Sequence, residues 1–515
     1  MLLCLALLPP LQAHTLRWAA RGDARSMDPH AALETVTINI NALVYDPLVT
    51  LDRQGRFVPA LATGWTVVEP TLWRFTLRRG VRFQDGTPFT ASDAVFSIER
   101  AQQASSQFAL HARALGKAAR IDDDTLELHQ ARPDPILLEH LAAILIMSRR
   151  WAEAHHAEQV PDLKNGQEAY SNRHAMGTGR YLLQQYQPGT RTLLERNPGW
   201  WGRFDGNVER IVYMPMANDA TRTAALLAGD IDFMQDVPPQ AAARLAKEPA
   251  LRVLNGAENR LIYLGFDQFR DELGSAGVKG RNPFKDLRVR QAFFHAIDAE
   301  ALKKNIMLGL SEPTGCVSAS AAGCLAAPTD PQPPANLALA RRLMAEAGYP
   351  KGFALTLDCP NDRYTNDRAL CLAIGGMLSR IGIELSVDAR PKAQYFPKLG
   401  RFDTSFFLHG YGQPTADAQT LLDGLVHSRD ASTHQGDANY GRFADAELDR
   451  WLDAAGAETD PARRAAAIGR AQQLAADRHY LLPIHRQMLS WAMRSGVHAV
   501  MTPDNIVRAD WIRVE

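Results

Sequence analysis

The chain has 515 residues, too many for one hydrophobic core, and this length predicts about two to four domains. Lysine plus arginine and aspartate plus glutamate number 57 each, so the formal net charge is zero. This balance argues against a nucleic-acid-binding protein, which usually carries a basic face. No run of 18 apolar residues occurs, which argues against a membrane-spanning helix.

The N-terminus is apolar from Leu2 to Leu8 and becomes small or polar before Ala13. This pattern predicts a secretory signal peptide over residues 1–13, although the basic residues that usually precede the apolar segment are absent. A frayed first strand is the alternative. Cys4 lacks the small residue that normally precedes a lipidated cysteine, which argues against a lipid anchor.

Four cysteines follow the predicted signal, an even number that is typical of disulfides in an exported protein. Cys316 and Cys324 bracket a short loop of small residues, and Cys359 and Cys371 bracket a polar loop. Among the three possible connectivities the sequence favours these two short-range pairs, and four free thiols are the alternative. Neither pair has the spacing of a zinc site or of a Cys-x-x-Cys redox motif.

Apolar periodicities of both two and 3.6 residues run through the chain and predict a mixed α/β protein. Strands are predicted over 16–20, 121–128, 262–266, 353–357, 381–387, 404–411 and 481–484. Helices are predicted near 38 and over 137–147, 219–228, 289–297, 337–347 and 372–378, with two more opening near 443 and 460. Asn218 or Asp219, Asn336 and Asp460 stand where N-cap residues are expected. The adjacent His155 and His156 cannot share a helix face, so we predict no metal site there.

The most informative stretch covers residues 73–100. Trp73, Phe75 and Leu77 alternate with polar residues, as in a half-buried strand. The dipeptide 85–86 is Asp-Gly and predicts a turn, and Thr90 and Asp93 have the spacing of a helix capping box.

This stretch resembles a signature of the family 5 extracellular solute-binding proteins, the dipeptide- and oligopeptide-binding receptors of ABC importers. The matching residues are Leu77, Arg78, Gly80, Val81, Phe83, Asp85, Gly86, Pro88, Phe89, Ala91, Asp93, Phe96 and Ser97. Similar matches to the family occur at 28–30, 45–49, 59–65, 177–181, 196–202, 222–232 and 283–292. The resemblance covers essentially the whole chain after the predicted signal.

The resemblance implies an α/β, two-lobed periplasmic-binding-protein fold of the cluster C type, with an extra domain inserted in the first lobe. The expected boundaries are 14–51, 174–264 and 484–515 for the first lobe, 52–173 for the extra domain and 265–483 for the second lobe. The resemblance further implies a monomeric periplasmic receptor that captures a di- or oligopeptide between closing lobes and passes it to a membrane permease. No cofactor, no metal and no catalytic residue is expected.

The resemblance also implies a set of ligand-binding residues. Peptide receptors of the family bind the ligand's α-amine with an aspartate, and Pro414 stands at that place here. The amine is therefore expected to bind either Asp417 or no aspartate at all. The other candidate ligand-binding residues are Glu34, Thr35, Val36, Arg390, His409, Gly410, Tyr411, Gly412 and Gln413.

Three other functions are alternatives. A receptor of the same fold for an oligosaccharide, an opine-like conjugate or a metal chelate would suit the loss of the aspartate at position 414. A secreted hydrolase is disfavoured because the Gly-x-Ser-x-Gly, His-Glu-x-x-His and Ser-x-x-Lys motifs are absent. An intracellular DNA-binding sensor is disfavoured because no helix-turn-helix fits before Trp18.

Overall fold

The computed structural model describes residues 14–325, 330–413, 417–433 and 435–515. The predicted signal peptide, residues 1–13, and Pro414 lie outside these described residues. No helix in the described part of the chain is both long enough and apolar enough to cross a membrane.

The described residues form nineteen β-strands. In chain order they are β1 (Thr15–Ala20), β2 (Val49–Leu51), β3 (Phe57–Pro59), β4 (Ala62–Glu69), β5 (Leu72–Leu77), β6 (Lys117–Arg120), β7 (Thr125–His129), β8 (Tyr181–Gln187), β9 (Arg191–Arg196), β10 (Arg210–Pro215), β11 (Phe233–Met234), β12 (Leu251–Phe266), β13 (Ser311–Pro313), β14 (Ala354–Pro360), β15 (Glu384–Arg390), β16 (Phe406–Gly412), β17 (Leu481–Arg494), β18 (Val497–His498) and β19 (Arg513–Val514).

Fifteen α-helices lie between these strands in the described residues. They are α1 (Thr35–Val44), α2 (Ala91–Ala101), α3 (Ala109–Ala114), α4 (Leu137–Ala142), α5 (Arg149–Ala154), α6 (Asp219–Ala228), α7 (Pro239–Leu245), α8 (Leu287–Ala296), α9 (Ala299–Asn305), α10 (Leu337–Glu346), α11 (Asp367–Leu378), α12 (Lys392–Gly400), α13 (Gln419–Leu425), α14 (Ala446–Ala457) and α15 (Pro461–Arg478). Asn218, Asn336 and Asp460 cap α6, α10 and α15 as predicted, each accepting a hydrogen bond from a backbone amide of the first turn.

One mixed sheet of eleven strands runs through both lobes, in the order β15-β14-β16-β12-β17-β11-β1-β10-β9-β8 with β13 paired to β17. Strands β12 and β17, of 16 and 14 residues, connect the two lobes and pair antiparallel from Leu251 opposite Arg494 to Gly265 opposite Leu481. Their register shifts between Ala257 and Leu261, where the segment 258–260 bulges out of the ladder. A second shift follows between Ile262 and Tyr263, so the β12–β17 ladder is irregular at two neighbouring places.

The inserted domain is built on a separate four-stranded sheet with the order β4-β5-β7-β6. The stretch 73–100 forms strand β5 and helix α2 of this domain, as its pattern predicts. Gly80 ends the extended segment with φ of +75°, a value that favours glycine. The carboxylate of Asp93 accepts a hydrogen bond from the Thr90 amide at 2.9 Å, which is the capping interaction expected at the start of α2.

One predicted element is wrong. The apolar run 137–147 was expected to be one helix, but α4 ends at Ala142 and Leu145 forms an isolated bridge with Pro47. Residues Ile144, Ile146 and Met147 are fully buried, because this segment passes between the core of the inserted domain and that of the first lobe. Burial on all sides, rather than helical periodicity, explains the apolar composition.

Both favoured disulfides are present. Cys316 is bonded to Cys324, and Cys359 is bonded to Cys371. The second pair is completely buried in the core of the second lobe.

Separate hydrophobic cores support the proposed division into two lobes and an inserted domain. One core joins residues of 16–45, 181–213 and 491–512, and another joins residues of 48–146. In the second lobe, alternate residues of β12 face two different cores, since Ile262 and Leu264 point to one and Leu261 and Tyr263 to the other. We propose the boundaries given above, with the addition that Met147 and Trp151 of the inserted segment pack into the first-lobe core.

Candidate functional site

Two cavities lie where the lobes and the inserted domain meet. The larger has a volume of about 550 Å³ and the smaller a volume of about 320 Å³. Both are lined by Glu34, Thr35, Glu258, Arg260 and Arg363, so they are adjacent compartments of one cleft. We call them the larger and the smaller compartment.

The bulge in β12 supplies charge to both compartments. Arg260 Nε donates to Glu258 Oε1 at 3.1 Å, and the other oxygen of Glu258 accepts from Gln487 of β17 at 2.5 Å. Burial disfavours the charge of Arg260, but the carboxylate of Glu258 outweighs it and raises the pKa of the guanidinium. The bulged segment 258–260 thus places the Glu258–Arg260 ion pair, whose charges offset each other, at the wall of the cleft.

Among the described residues, Arg363 is a cation of the cleft without a directly bonded carboxylate, and the charges of Glu258 and Glu34 act on it at longer range. It follows β14 in the loop that precedes α11, and its guanidinium lies 5.3 Å from the ring centre of Tyr364. Its guanidinium has no hydrogen-bond or ion-pair acceptor among the described residues. Burial and the neighbouring Arg260 lower the pKa of Arg363. A partly buried guanidinium in this position favours an anion from outside the chain.

Strand β16 ends at the larger compartment and contributes His409, Gly410, Tyr411 and Gly412 to its wall, and Gln413 follows directly after the strand. Burial, with Arg363 and Arg260 adding to it, lowers the pKa of His409 to about 3, so the ring is neutral at pH 7. Burial raises the pKa of Tyr411 to about 12, so this phenol is also neutral.

His409 lies inside a group of aromatic rings. The ring centres of Tyr263, Tyr364, Phe396 and Tyr440 are 5.4–6.4 Å from that of His409. Nδ1 of His409 is buried and has no hydrogen-bond partner in the described part of the chain. The ring of His409 is thus enclosed by aromatic side chains.

The rest of the larger compartment is mainly apolar. Its walls come from α1, the inserted domain, the second lobe and the segment before β19. The apolar lining includes Leu33, Ile38, Leu43, Leu51, Phe57, Phe108, Leu110, Phe396, Tyr440, Ile506 and Val507. An apolar chamber beside a fixed charge is the usual composition of a small-molecule site.

Three contacts join the two sides of the cleft. Lys392 Nζ lies 2.9 Å from Glu34 Oε1, across a sequence separation of 358 residues. The Thr420 hydroxyl donates to Glu139 of the inserted domain at 2.9 Å. The Gln240 amide donates to Asn366 Oδ1 at 3.1 Å. These contacts bring the two lobes together around the cavities, as in a closed conformation.

Comparison with known proteins identifies the family. The family model for "Bacterial extracellular solute-binding proteins, family 5 Middle" matches residues 56–433. The chain belongs to this family.

Relatives and solved structures agree with this membership. The chain is 26% identical over 481 residues to the glutathione-binding protein GsiB of Salmonella choleraesuis (strain SC-B67), which covers 91% of this chain and 88% of the relative. GsiB of Escherichia coli O1:K1 / APEC is 26% identical over 467 residues, covering 88% of this chain and 86% of the relative.

Solved structures share the fold over nearly the full length. A dipeptide-binding protein from Pseudoalteromonas sp. SM9913, in complex with Met-Leu, aligns with a TM-score of 0.83 and 22% identity and covers 97% of this chain and all of that one. The periplasmic binding protein AgaA of A. tumefaciens R10, in complex with agropinic acid, aligns with a TM-score of 0.79 and 21% identity over 97% and 99% of the two chains. The expected two-lobed fold is confirmed.

The predicted ligand-binding residues of this family 5 protein fall into two groups. Glu34 and Thr35 line both compartments, Val36 lines the smaller one, and residues 409–413 line the larger one. Their ligand contacts stay a prediction. Arg390 and Asp417 line neither compartment.

Arg390 and Asp417 each form an ion pair within the chain. Arg390 lies on the edge strand β15, where its Nε donates to both oxygens of Asp388 at 2.9 Å. Asp417 accepts two hydrogen bonds from Arg464 of α15, at 2.6 and 2.9 Å. Both charges are thus paired within the chain and outside the cavities, and we propose that neither residue contacts the ligand. The substitution at Pro414 lies outside the described residues.

Apart from Glu34, the sequence did not point to the charged residues of the cleft, above all Arg363, Arg260 and Asp236. Arg363 lies in a polar segment between Cys359 and Cys371 that has the composition of a surface loop. No local pattern distinguishes it from the many other arginines. The two flanking cysteines are the feature of the sequence that indicates a loop of fixed shape.

Proposed function

We propose that this chain is the periplasmic receptor of an ABC importer, that it captures a peptide or peptide-like carboxylate, and that it delivers the solute to a membrane permease. The observation that carries the proposal is Arg363, a cleft cation with no acceptor among the described residues. Capture and delivery require no bond to be made or broken.

A carboxylate of the ligand would provide the hydrogen-bond acceptor that Arg363 lacks among the described residues. A hydrogen bond to a charged group contributes about 1.5–3 kcal/mol, and a planar guanidinium binds a carboxylate through two parallel hydrogen bonds. Arg260 lies close enough to affect the pKa of Arg363. Met-Leu and glutathione, named for two of the similar proteins, both carry carboxylates.

The position of Arg363 links binding to closure. It belongs to the second lobe, whereas Glu34 and Thr35, which line the same cavities, belong to the first. A ligand between them contacts both sides only when the lobes are close together. Such a ligand stabilises the closed state by its difference in affinity for the closed and open states. We infer that the permease recognises this closed form.

The proposal is tested with the purified protein and a ligand panel of Met-Leu, glutathione, a tryptic digest of casein, maltotriose and nickel–histidine. We expect the melting temperature to rise with at least one peptide, because a ligand that binds the folded state stabilises it by RT ln(1 + [L]/Kd). A rise with maltotriose or the nickel chelate alone would reject the peptide function.

The site is tested by Arg363→Gln, with Arg390→Gln as the matched control. Arg363→Gln should weaken the binding peptide roughly 10- to 100-fold, which corresponds to the loss of about 1.5–3 kcal/mol. Arg390→Gln should leave the affinity unchanged, because Arg390 is bound to Asp388 away from the cavities. Equal affinities in wild type and Arg363→Gln would reject Arg363 as the carboxylate-binding residue.

A further inference from the structure

One short loop of the second lobe lines both compartments, and we call its residues, 361–366, the cleft loop. It connects the end of β14 to the start of α11. The loop residues at the smaller compartment are Asp362, Arg363, Thr365 and Asn366, and those at the larger one are Arg363 and Tyr364. The conformation of the cleft loop therefore shapes both cavities.

A buried carboxylate holds the backbone of the cleft loop. Asp367, the first residue of α11, is only 4% exposed. Its Oδ2 accepts hydrogen bonds from the amides of Arg363 at 2.9 Å and Tyr364 at 3.0 Å. Its Oδ1 accepts the amide of Arg368 at 2.8 Å. Because a buried carboxylate has lost its hydration, these amides replace water, and the backbone of the loop is tied to the helix that follows it.

The Cys359–Cys371 bond closes the cleft loop at its base. Cys359 lies near the end of β14 and Cys371 lies in α11, and both are completely buried. The bond joins positions 12 residues apart and keeps the two ends of the loop together. A cross-link of this kind restricts the conformations of the segment that it spans.

The side chains of the cleft loop differ in how they are held. The Tyr364 hydroxyl donates to the Gly410 carbonyl of β16 at 3.1 Å. The Asn366 side-chain amide donates to the Ile306 carbonyl at 2.7 Å. The guanidinium of Arg363 has no such acceptor among the described residues, so its place in the cleft depends on the backbone that carries it.

We propose that Asp367 and the Cys359–Cys371 bond are positioning elements of the receptor, which hold the cleft loop in its binding conformation before a ligand arrives. This inference rests on the proposed function, since it gives the loop a part in ligand capture. A ligand that must order a mobile loop loses affinity by the cost of that ordering, whereas a loop already in place spares it.

The test follows the loop first without ligand and then with it. Hydrogen–deuterium exchange of peptides covering residues 361–370 is measured in wild type, Cys359→Ala/Cys371→Ala, Asp367→Ala and the conservative variant Asp367→Asn. Dissociation constants and binding entropies for Met-Leu and glutathione are measured by calorimetry in the same proteins.

The matched control is Cys316→Ala/Cys324→Ala, which removes the other disulfide. Neither of these cysteines lines a compartment. This variant should leave both the exchange of residues 361–370 and the affinities unchanged.

We expect the cleft loop to exchange slowly in wild type without ligand and faster in Cys359→Ala/Cys371→Ala and in Asp367→Ala. Both variants should bind roughly 5- to 100-fold more weakly, with a less favourable binding entropy, because the ligand must then order the loop and its side chains. Saturating ligand should restore slow exchange. Asp367→Asn keeps one oxygen that accepts amide hydrogens, so its losses should be smaller than those of Asp367→Ala.

Three results would overturn the inference. The first is equal exchange of the cleft loop, without ligand, in wild type and both variants. The second is faster exchange with unchanged affinity, since the loop would then be mobile without consequence for capture. The third is an equal acceleration in α8 of the same lobe in both variants, which would show a general loosening and not a release of this loop.

Failure of the proposed function has a different signature. A wild type that binds no peptide of the ligand panel rejects peptide capture. The exchange measured without ligand still decides, in that case, whether Asp367 and the disulfide hold the cleft loop.

Discussion

Replacing Arg100 by methionine removes the positive half of an ion pair that is buried between the first lobe and the inserted domain. Arg100 of α2 and Asp28 after β1 have fully buried side chains, with Nη2 and Oδ2 2.5 Å apart. Arg100 also donates to the carbonyls of Ala157 and Gln159 at 2.9 and 3.0 Å. His30, whose Nε2 donates to a backbone carbonyl, accepts from Arg100 through Nδ1 at 2.9 Å.

We expect Arg100→Met to lower the free energy of unfolding by about 3–5 kcal/mol, because a buried charge that loses its partner keeps its full desolvation cost. Burial opposes ionisation of Asp28, but Arg100 outweighs it and holds the pKa of Asp28 below its usual value. A depressed pKa stabilises the fold above the unfolded pKa of about 4 and ceases to do so as pH falls through the folded pKa. In Arg100→Met, the guanidinium no longer opposes the effect of burial, so Asp28 is protonated more readily. The loss should therefore be large at pH 7 and smaller near pH 4.

The measurement is hydrogen–deuterium exchange of peptides covering residues 14–44 and 91–101. Exchange reports local opening, so it does not require that a chain of several domains unfolds in one step. Arg79→Met is the control, since Arg79 forms an ion pair with Asp124 while 84% exposed, and the expected loss is below about 1 kcal/mol. The double variant Asp28→Leu/Arg100→Met should recover part of the stability, because it leaves no buried charge. A loss below about 1 kcal/mol in Arg100→Met at pH 7, or an equal loss at pH 4, would refute this reasoning.

Three further expectations follow from the closed cleft and the cores. Lys392→Met removes a partly exposed ion pair with Glu34 across the cleft, so peptide affinity measured by calorimetry should fall by no more than about fivefold; a larger loss means that Lys392 contacts the ligand. Replacing Cys359 and Cys371 by alanine should lower the unfolding free energy by about 3 kcal/mol, judged from the 12-residue separation, and a reductant should then destabilise the variant only through the remaining Cys316–Cys324 bond. Burial raises the pKa of Asp134 to about 6, above its unfolded value, so its contribution to stability falls as pH rises from roughly 4 to 6; Asp134→Asn should raise the melting temperature relative to wild type at pH 7.5 and not at pH 4.

Much of the fold could be predicted from the sequence, because its signals are local. The strand and helix of residues 73–100 depend on alternation, a turn and a capping pair within 28 residues. The disulfide partners are only 8 and 12 residues apart, so short loops made their pairing predictable. Helix starts at Asn336 and Asp460 follow from side chains that cap the next turn. The run 137–147 was predicted wrongly because a segment buried on all sides has no periodicity to distinguish it.

The charge of the candidate site was decided only by the tertiary structure. Asp417 and Arg390 carry the right chemistry in the sequence, but Arg464 and Asp388 neutralise them outside the cleft. Arg363 has the same side chain as the other arginines of the chain, and its importance comes from a position that offers it no acceptor among the described residues. Whether a charge is paired depends on distance and burial between segments far apart in the chain, and no local pattern of residues records that.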